Sequence, residues 1–167
     1  MRKMTEKSLA EAFAGESMAH MKYTIFAEQA ENEGKTGLAR LFRAIAYAEF
    51  VHAKNHARNL GYIGSTEENI KAAMDGENFE IDEMYPAYMA IAELQDEKEA
   101  QRSIMYAEEA EKVHADMYAD ALEKVKKGED VEAEEVYVCP VCGYTHIGKP
   151  PEKCPICGAP SEKFERF

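Results

Sequence analysis

The sequence predicts a mainly α-helical protein, with four long helices packed as a bundle and a small C-terminal domain held together by a metal ion. From about residue 5 to 127 the chain is rich in Ala, Glu, Lys, Met and Leu, which favour helices, and apolar residues recur at helical spacing. All four cysteines and five of the six prolines fall in the last part of the chain, which lacks that periodicity. The change in pattern predicts two domains, residues 1–132 and 133–167.

Breaks in the helical pattern set the expected boundaries. Glycine-rich or capping segments follow residues 33, 60 and 75, and further breaks fall near residue 96 and at Gly128. Ser65 with Glu68 and, more loosely, Asp96 with Glu99 resemble capping boxes. Pro86 either occupies the first turn of its helix or kinks it. The predicted long helices cover about 5–33, 36–60, 78–95 and 97–127, with a short helix at 66–75 inside a long 61–77 connection.

The C-terminal segment is too small to fold on its core alone. It follows an acidic linker at 129–135 and spans about 32 residues, a length at which a disulfide or a metal usually supplies the missing stability. The cysteines would supply that missing stability here.

Composition excludes some classes of function. Acidic residues outnumber basic ones 32 to 20, a net charge of −12, which argues against nucleic acid as a partner. No apolar run approaches the ~20 residues that cross a bilayer, and no apolar signal core follows the N-terminus, so we expect a cytoplasmic protein. In a reducing compartment, clustered cysteines favour a metal site over disulfides.

A repeated hexapeptide is the most informative motif. Ala-Glu-x-Val-His-Ala occurs at 48–53 and again at 110–115, and each copy places a Glu three residues before a His. Residues i and i+3 share a helix face, so Glu49 converges with His52, and Glu111 with His114. Two such helices, joined by a carboxylate from each of two others, form the ligand set of a di-iron or di-manganese bundle.

The additional carboxylates have candidates. Glu16 lies on the first helix, and Glu80 and Glu83, again three residues apart, lie at the start of the third. Iron binds carboxylate and imidazole ligands, and clustered carboxylates without a cation would repel one another. A single Glu-x-x-His pair arises by chance on acidic helices, whereas two matched copies point to a metal centre. His20 and His56 share faces with these ligands but are interpreted as surface or supporting residues.

The cysteines form a second site. Two C-x-x-C-G loops, Cys139 with Cys142 and Cys154 with Cys157, match one tetrahedral tetrathiolate site. The spacing alone does not separate structural zinc from electron-carrying iron. The C-P-x-C-G loops and a nearby di-iron site that needs electrons favour iron.

The chain resembles the rubrerythrin family over essentially its whole length. The resemblance rests on Phe13–Ser17, on Glu80-x-x-Glu83-Met-Tyr-Pro, on both Glu-x-x-His helices and on the short cysteine module. It implies a ferritin-like four-helix bundle with a di-iron centre, followed by a rubredoxin-like Fe(Cys)4 domain. Free-standing rubredoxins have a longer segment between the cysteine pairs, and the short one is typical of rubrerythrins.

The resemblance also implies roles for the ligands. Glu16 and Glu80 would be terminal ligands, Glu49 and Glu111 would bridge the irons, and His114 would hold the second iron. Glu83 and His52 would compete for one iron as its oxidation state changes.

The implied activity is an oxidative-stress defence, the reduction of hydrogen peroxide to water. Electrons would come through the cysteine-bound iron from rubredoxin or from an NAD(P)H-dependent rubredoxin reductase. A homodimer is implied, with the tail of one subunit near the di-iron site of the other, and the long connection would permit exchange of helix pairs.

Two tyrosines are further candidates by position. Tyr23 lies two turns after Glu16, and Tyr88 lies on the third helix. Each phenol either hydrogen-bonds a ligand carboxylate or peroxide, or packs in the core.

Two alternative functions stay open. The first is an O2-consuming ferroxidase on the same bundle, although the cysteine tail argues against it. The second is a helical scaffold with a zinc ribbon.

Overall fold

The computed structural model describes residues 1–167 as two compact units, residues 1–64 and 65–167. The elements of the first unit are α1 (Lys3–Asn32) and α2 (Thr36–Leu60). The elements of the second unit are α3 (Thr66–Phe79), a π-helical segment (Glu80–Met84), α4 (Tyr85–Leu94), α5 (Lys98–Lys126), β1 (Val136–Val138), β2 (Thr145–Ile147), a 3₁₀ turn (Ser161–Lys163) and β3 (Glu165–Arg166).

The first unit is a helical hairpin that packs through small residues. Gly34, with a φ of 72°, ends α1, and three residues connect it to α2. The buried side chains of the hairpin are all alanines: Ala27, Ala30, Ala39, Ala46, Ala53 and Ala57. Three of the α2 alanines recur every seven residues, which keeps one stripe of methyl groups facing α1. Small side chains therefore allow the two backbones to approach closely.

One polar contact fixes the register of this hairpin. The Nδ1 of His20 on α1 donates to the carbonyl oxygen of Ala46 on α2 at 2.8 Å. His20 also lies against the ring of Phe50, with 5.9 Å between centroids. His20 is therefore a cross-helix contact one turn after Glu16.

The predicted short helix and third helix are one continuous run. Ser65 and Glu68 form the expected capping box at its start. The predicted break at Gly76 was wrong, because one glycine costs only about 1 kcal/mol inside a helix. The connection between α2 and α3 is consequently short, residues 61–65, and the long 61–77 connection was also wrong.

A π-helical turn accommodates Pro86 in this run. The N–H of Tyr85 bonds to the carbonyl of Glu80, five residues back. Proline lacks an N–H and its ring clashes with the carbonyl four residues earlier, and the wider turn just before Pro86 relieves that clash. The π segment includes both predicted ligands of this helix, Glu80 and Glu83.

The start of α5 differs from the prediction by one residue. Asp96 does not cap it, because Asp96 adopts a left-handed conformation, with a φ of 55°, in the turn that ends α4. In that turn the N–H of Glu97 bonds back to the carbonyl of Ala92 at 2.9 Å. Asp tolerates this conformation better than most residues, which explains its position there.

The C-terminal module is a three-stranded antiparallel sheet, in the order β2-β1-β3, beside two cysteine loops. Val136 pairs with Ile147, and Val138 pairs with Thr145 on one side and Glu165 on the other. The loops share one hydrogen-bond pattern: Cys139 N–H to Tyr144 and Gly143 N–H to Cys139, then Cys154 N–H to Ala159 and Gly158 N–H to Cys154. Gly143 and Gly158 have φ of 80° and 75°, a conformation that favours glycine.

The predicted fold class is confirmed: the chain is mainly α-helical, with four long helical runs and a small cysteine-bearing sheet at its C-terminus. No helix is both long and apolar enough to span a membrane.

Candidate metal centres

The four cysteines converge in the core of the C-terminal module. Their Sγ atoms all lie within 4.8 Å of one another, with 3.5 Å from Cys139 to Cys157 and 3.4 Å from Cys142 to Cys154. Metal–sulfur bonds of about 2.3 Å in a tetrahedron place sulfurs ~3.8 Å apart, so these thiols fit one metal ion. Tyr106, Tyr144 and Phe164 pack around them.

The surroundings of the four thiols favour binding of a cation. Burial raises the pKa of Cys142 and of Cys157. Burial opposes ionisation of Cys154 as well, but backbone N–H groups of Cys157 and Ile156 bond to its sulfur and lower its pKa. The N–H groups stabilise thiolate, whereas the surroundings resist four uncompensated negative charges. A bound metal ion resolves this conflict because it deprotonates its thiol ligands.

The hairpin of α1 and α2 carries the first carboxylate–histidine set. Ligand atoms of Glu16, Glu49 and His52 lie within 4.8 Å of one another. The Nδ1 of His52 is 3.0 Å from Glu49 Oε2 and 3.9 Å from Glu16 Oε1. Glu49 is shielded by the hairpin, whereas half of the His52 side chain is exposed.

The second unit carries a matching set on α3 and α5, made of Glu77, Glu111 and His114. The Nδ1 of His114 lies 2.6 Å from Glu111 Oε2, and its Nε2 lies 2.9 Å from Thr145 Oγ1 on β2. Both His114 and Glu111 are about one-fifth to one-quarter exposed. Sequence analysis did not include Glu77, although it stands three residues before Glu80, at the spacing that selected Glu80 and Glu83.

The carboxylates of this second set perturb one another. Burial, followed by the hydrogen bond and the charge of Glu111, raises the pKa of Glu77 to about 7. Burial and the same charge raise the pKa of Glu80. Acids with raised pKa values in one cluster are typical of functional sites, and a bound cation would favour their ionised forms.

The other predicted site residues lie outside these groups of donor atoms. Glu80 is near enough to Glu111 to sense its charge, but Glu83 is exposed on the π segment and lies outside the grouped donors. Tyr23 packs against the rings of Phe26 and Phe42. Tyr88 is half exposed and contacts Tyr85.

Tyr85, which sequence analysis did not select, faces the acidic cluster. Its pKa is raised by burial and then by the charges of Glu80, Glu111 and Glu77. The sequence signal was its place directly after Met84 in the Glu-x-x-Glu-Met-Tyr-Pro motif. Of the tyrosines on this helical run, Tyr85 is therefore the one beside the carboxylates.

The cysteine module packs on α5 of its own chain. Tyr106 contacts the cysteine core, and a Cβ added at Gly143 would lie 3.8 Å from that of Ala110. The hydrogen bond between Thr145 and His114 belongs to the same contact. The tail therefore lies on the helix that carries this chain's Glu111 and His114. That it also lies near the di-iron site of another subunit stays a prediction.

These features define a helical metalloprotein with two kinds of metal site, one of carboxylates and imidazoles and one of thiolates. The sequence profile of the rubrerythrin family matches residues 7–122, and that of the rubrerythrin rubredoxin-like domain matches residues 137–165. The chain belongs to the rubrerythrin family.

Individual relatives match nearly the whole chain. Rubrerythrin-2 of Clostridium acetobutylicum is 45% identical, over 98% of this chain and 97% of its own length. Nigerythrin of Nitratidesulfovibrio vulgaris is 35% identical, over 98% and 86%. A solved structure of nigerythrin in its fully reduced, all-ferrous state is 33% identical, with a TM-score of 0.59 over 98% of this chain and 86% of that one.

Rubrerythrins bind a di-iron site and a rubredoxin-like iron, and the donors described above suit both. Oxygen and imidazole ligands suit iron in the helices, and four thiols suit iron or zinc in the tail.

We expect the tail to lose its fold without its metal. Three cysteines, Cys139, Cys142 and Cys154, are the buried centre of the module, so without metal too little apolar surface stays buried. In a Cys142→Ser variant, the dispersed amide NMR signals of residues 136–167 should collapse while far-UV circular dichroism keeps its helical signal. Dispersed tail signals in this variant would contradict the metal-dependent fold.

Metal binding should release a proton from Glu77. Because its pKa is raised to about 7, this carboxyl is mostly protonated at pH 6 and mostly ionised at pH 8. Anaerobic calorimetry with Fe²⁺ in buffers of different ionisation enthalpy should show up to about one proton fewer released by Glu77→Gln than by wild type at pH 6. The difference should vanish at pH 8.

The cysteine contribution to this release is the same in both proteins and cancels. Glu67→Gln, a change at an exposed position in the first turn of α3, is the matched control and should release as many protons as wild type. Equal release from wild type and Glu77→Gln at pH 6 would contradict the raised pKa.

Proposed function

We propose that this protein is a peroxidase that reduces hydrogen peroxide to water at a non-haem di-iron centre. Its family supports an oxidoreductase of the peroxidase type. The observation that carries the proposal is the contact between the two metal-binding parts of one chain, because the cysteine module is hydrogen-bonded to His114. A ferroxidase takes electrons from the Fe²⁺ it oxidises and has no need of such a module.

The chemistry supplied by bound iron would be the two-electron step H2O2 + 2 H⁺ + 2 e⁻ → 2 H2O, with electrons delivered singly by the cysteine-bound iron. The chain contributes the ligands. Glu16, Glu49 and His52 form one half of the di-iron ligand set, and Glu111 and His114 are the core of the other half. Glu80 completes that half, with Glu83 and His52 as alternative ligands of one iron.

Glu77 and Tyr85 border this second half. Glu77 shares a hydrogen bond with Glu111, and the phenol of Tyr85 lies in the field of three carboxylates. We assign Glu77 to holding the Glu111 carboxylate in place, and Tyr85, rather than Tyr23 or Tyr88, to hydrogen bonding near the reacting oxygen. The electron donor is rubredoxin or an NAD(P)H-dependent rubredoxin reductase.

We further propose a homodimer whose subunits exchange helix pairs. The hairpin leaves Ile25, Phe26 and Leu41 exposed, each by 45% or more, and α4 leaves Ile91 and Leu94 exposed. Exposed apolar side chains in such numbers mark an association surface. The connection of residues 61–65 extends to at most ~18 Å, and short hinge connections favour exchange.

Stopped-flow absorbance should separate peroxide from O2 as the oxidant. The iron-loaded, anaerobically reduced protein is mixed with stoichiometric H2O2 or O2, and reoxidation of the Fe(Cys)4 chromophore is followed. We expect fast reoxidation by H2O2 and slow reoxidation by O2. A comparable or faster reaction with O2 would favour a ferroxidase, and no reaction with either would favour a zinc-ribbon scaffold.

Matched variants locate the reaction in the bundle. His52→Ala and Glu83→Ala should each slow the peroxide-driven phase by roughly tenfold or more, since ligands and their supports typically carry that much activity. Glu67→Ala, at an exposed position of α3, should react as wild type does. Wild-type rates in both ligand variants would exclude an iron that moves between these two residues.

Complementation tests the exchange of helix pairs. Glu49→Ala disables the ligand set of α1 and α2, and Glu111→Ala disables that of α5. If subunits exchange helix pairs, a mixture refolded together contains sites with both sets intact, about a quarter of all sites for random mixing. Peroxidase activity should return to about that fraction of wild type. If it stays at the level of the separate variants, the subunits do not exchange.

A further inference from the structure

The imidazole of His114 is held from both sides by different parts of the chain. Its Nδ1 faces Glu111 Oε2 at 2.6 Å, within the carboxylate cluster, and its Nε2 faces Thr145 Oγ1 at 2.9 Å, on β2 of the cysteine module. The ring is only about one-quarter exposed. Each nitrogen therefore has a separate partner, and Thr145 is the partner opposite the metal ligands.

The hydrogen-bond directions at Thr145 follow from its second contact. Its hydroxyl donates to the carbonyl oxygen of Gly143 at 3.1 Å, so its lone pairs are left to accept from His114 Nε2–H. A proton on Nε2 leaves the Nδ1 lone pair directed at the cluster. That lone pair is the one that a metal ion bound among the carboxylates would use.

We propose that Thr145 is a positioning residue for the metal centre, which fixes the tautomer and the orientation of His114 and couples them to the seating of the cysteine module on α5. The proposal rests on the proposed function only in taking His114 as a metal ligand. Metal-bound imidazoles generally donate their second N–H to a carboxylate, carbonyl or water. In this chain the acceptor belongs to the electron-carrying module.

The surface of α5 makes this contact possible. The almost fully buried Ala110 lies one turn before His114, and a Cβ at Gly143 would stand 3.8 Å from its methyl group. Two small residues therefore let the loop that carries Cys142 approach the helix, and β2 begins two residues later with Thr145. The bonded path from Cys142 through Gly143 and Thr145 to His114 holds the two sites in one arrangement within a chain.

The test compares Thr145→Val with Thr145→Ser in the full-length protein. Valine keeps the shape and strand preference of threonine and removes the hydroxyl, whereas serine keeps the hydroxyl. Anaerobic Fe²⁺ titration should show the bundle affinity reduced by roughly tenfold in Thr145→Val and within about twofold of wild type in Thr145→Ser. Equal affinities in Thr145→Val and wild type would overturn the proposal, as would equal losses in Thr145→Val and Thr145→Ser.

Thr24→Val is the matched control, since the Thr24 hydroxyl bonds only to a carbonyl of its own helix, at 2.9 Å, and should leave the affinity unchanged. The visible absorbance of the Fe(Cys)4 site reports whether the module of each variant is folded. A second measurement needs no variant: in Zn²⁺-loaded, ¹⁵N-labelled wild-type protein, His114 should give a slowly exchanging Nε2–H signal. A ring with the proton on Nδ1, or an Nε2–H lost to rapid exchange, would also overturn the proposal.

These readouts do not depend on turnover. Thr145-dependent affinity in a protein without peroxidase activity would refute the proposed function and leave the role of Thr145 standing. Peroxidase activity together with an Fe²⁺ affinity that does not depend on Thr145 would support the proposed function and refute the role of Thr145.

Discussion

Clustered negative charge that a bound cation would neutralise is the constraint on which this structure depends. In the second unit, burial and the charge of Glu111 raise the pKa of Glu77 and of Glu80, and in the tail burial raises the pKa of Cys142 and of Cys157. No Lys or Arg is among the grouped donors of either cluster, and the one imidazole of the second, His114, stands against two carboxylates. The helices and the tail are therefore built around ions, and the ligand geometry determines what the fold must preserve.

The π-helical segment shows how the backbone serves that geometry. Five residues, Glu80–Met84, carry three carboxylates, two of them the predicted ligands Glu80 and Glu83, and come directly before Tyr85 and Pro86. An extra residue in the turn rotates the side chains that follow it by roughly 100° relative to a regular helix. Tyr85, which follows the segment, lies in the field of the acidic cluster, and Glu83, within the segment, is exposed. A regular i, i+3 pattern does not predict this arrangement.

Helical periodicity predicted the features that depend on neighbours along one helix. It placed Glu49 with His52 and Glu111 with His114, and the C-x-x-C spacing gave the thiolate site. Glu16 was a candidate only as a carboxylate on another helix, because periodicity does not say which residues meet across a hairpin. It did not find Thr145, because the hydrogen bond to His114 joins residues 31 positions apart and no local pattern encodes such a contact. It also divided one helix at Gly76, where packing against α5 outweighs the small cost of a glycine.

The alanine stripe between α1 and α2 has a consequence for metal selectivity. Ala46, one turn before Glu49, and Ala53, directly after His52, are both nearly inaccessible, so methyl groups set the separation of the two helices. That separation determines how far Glu16 on α1 stands from His52 on α2, now 3.9 Å between the nearest atoms. Ions that differ in radius by tenths of an ångström need different ligand spans. The alanine layer between α1 and α2 has no donor atoms, yet its thickness helps to determine which ion fits the site. Replacing one of these alanines with a larger residue would change the metal preference.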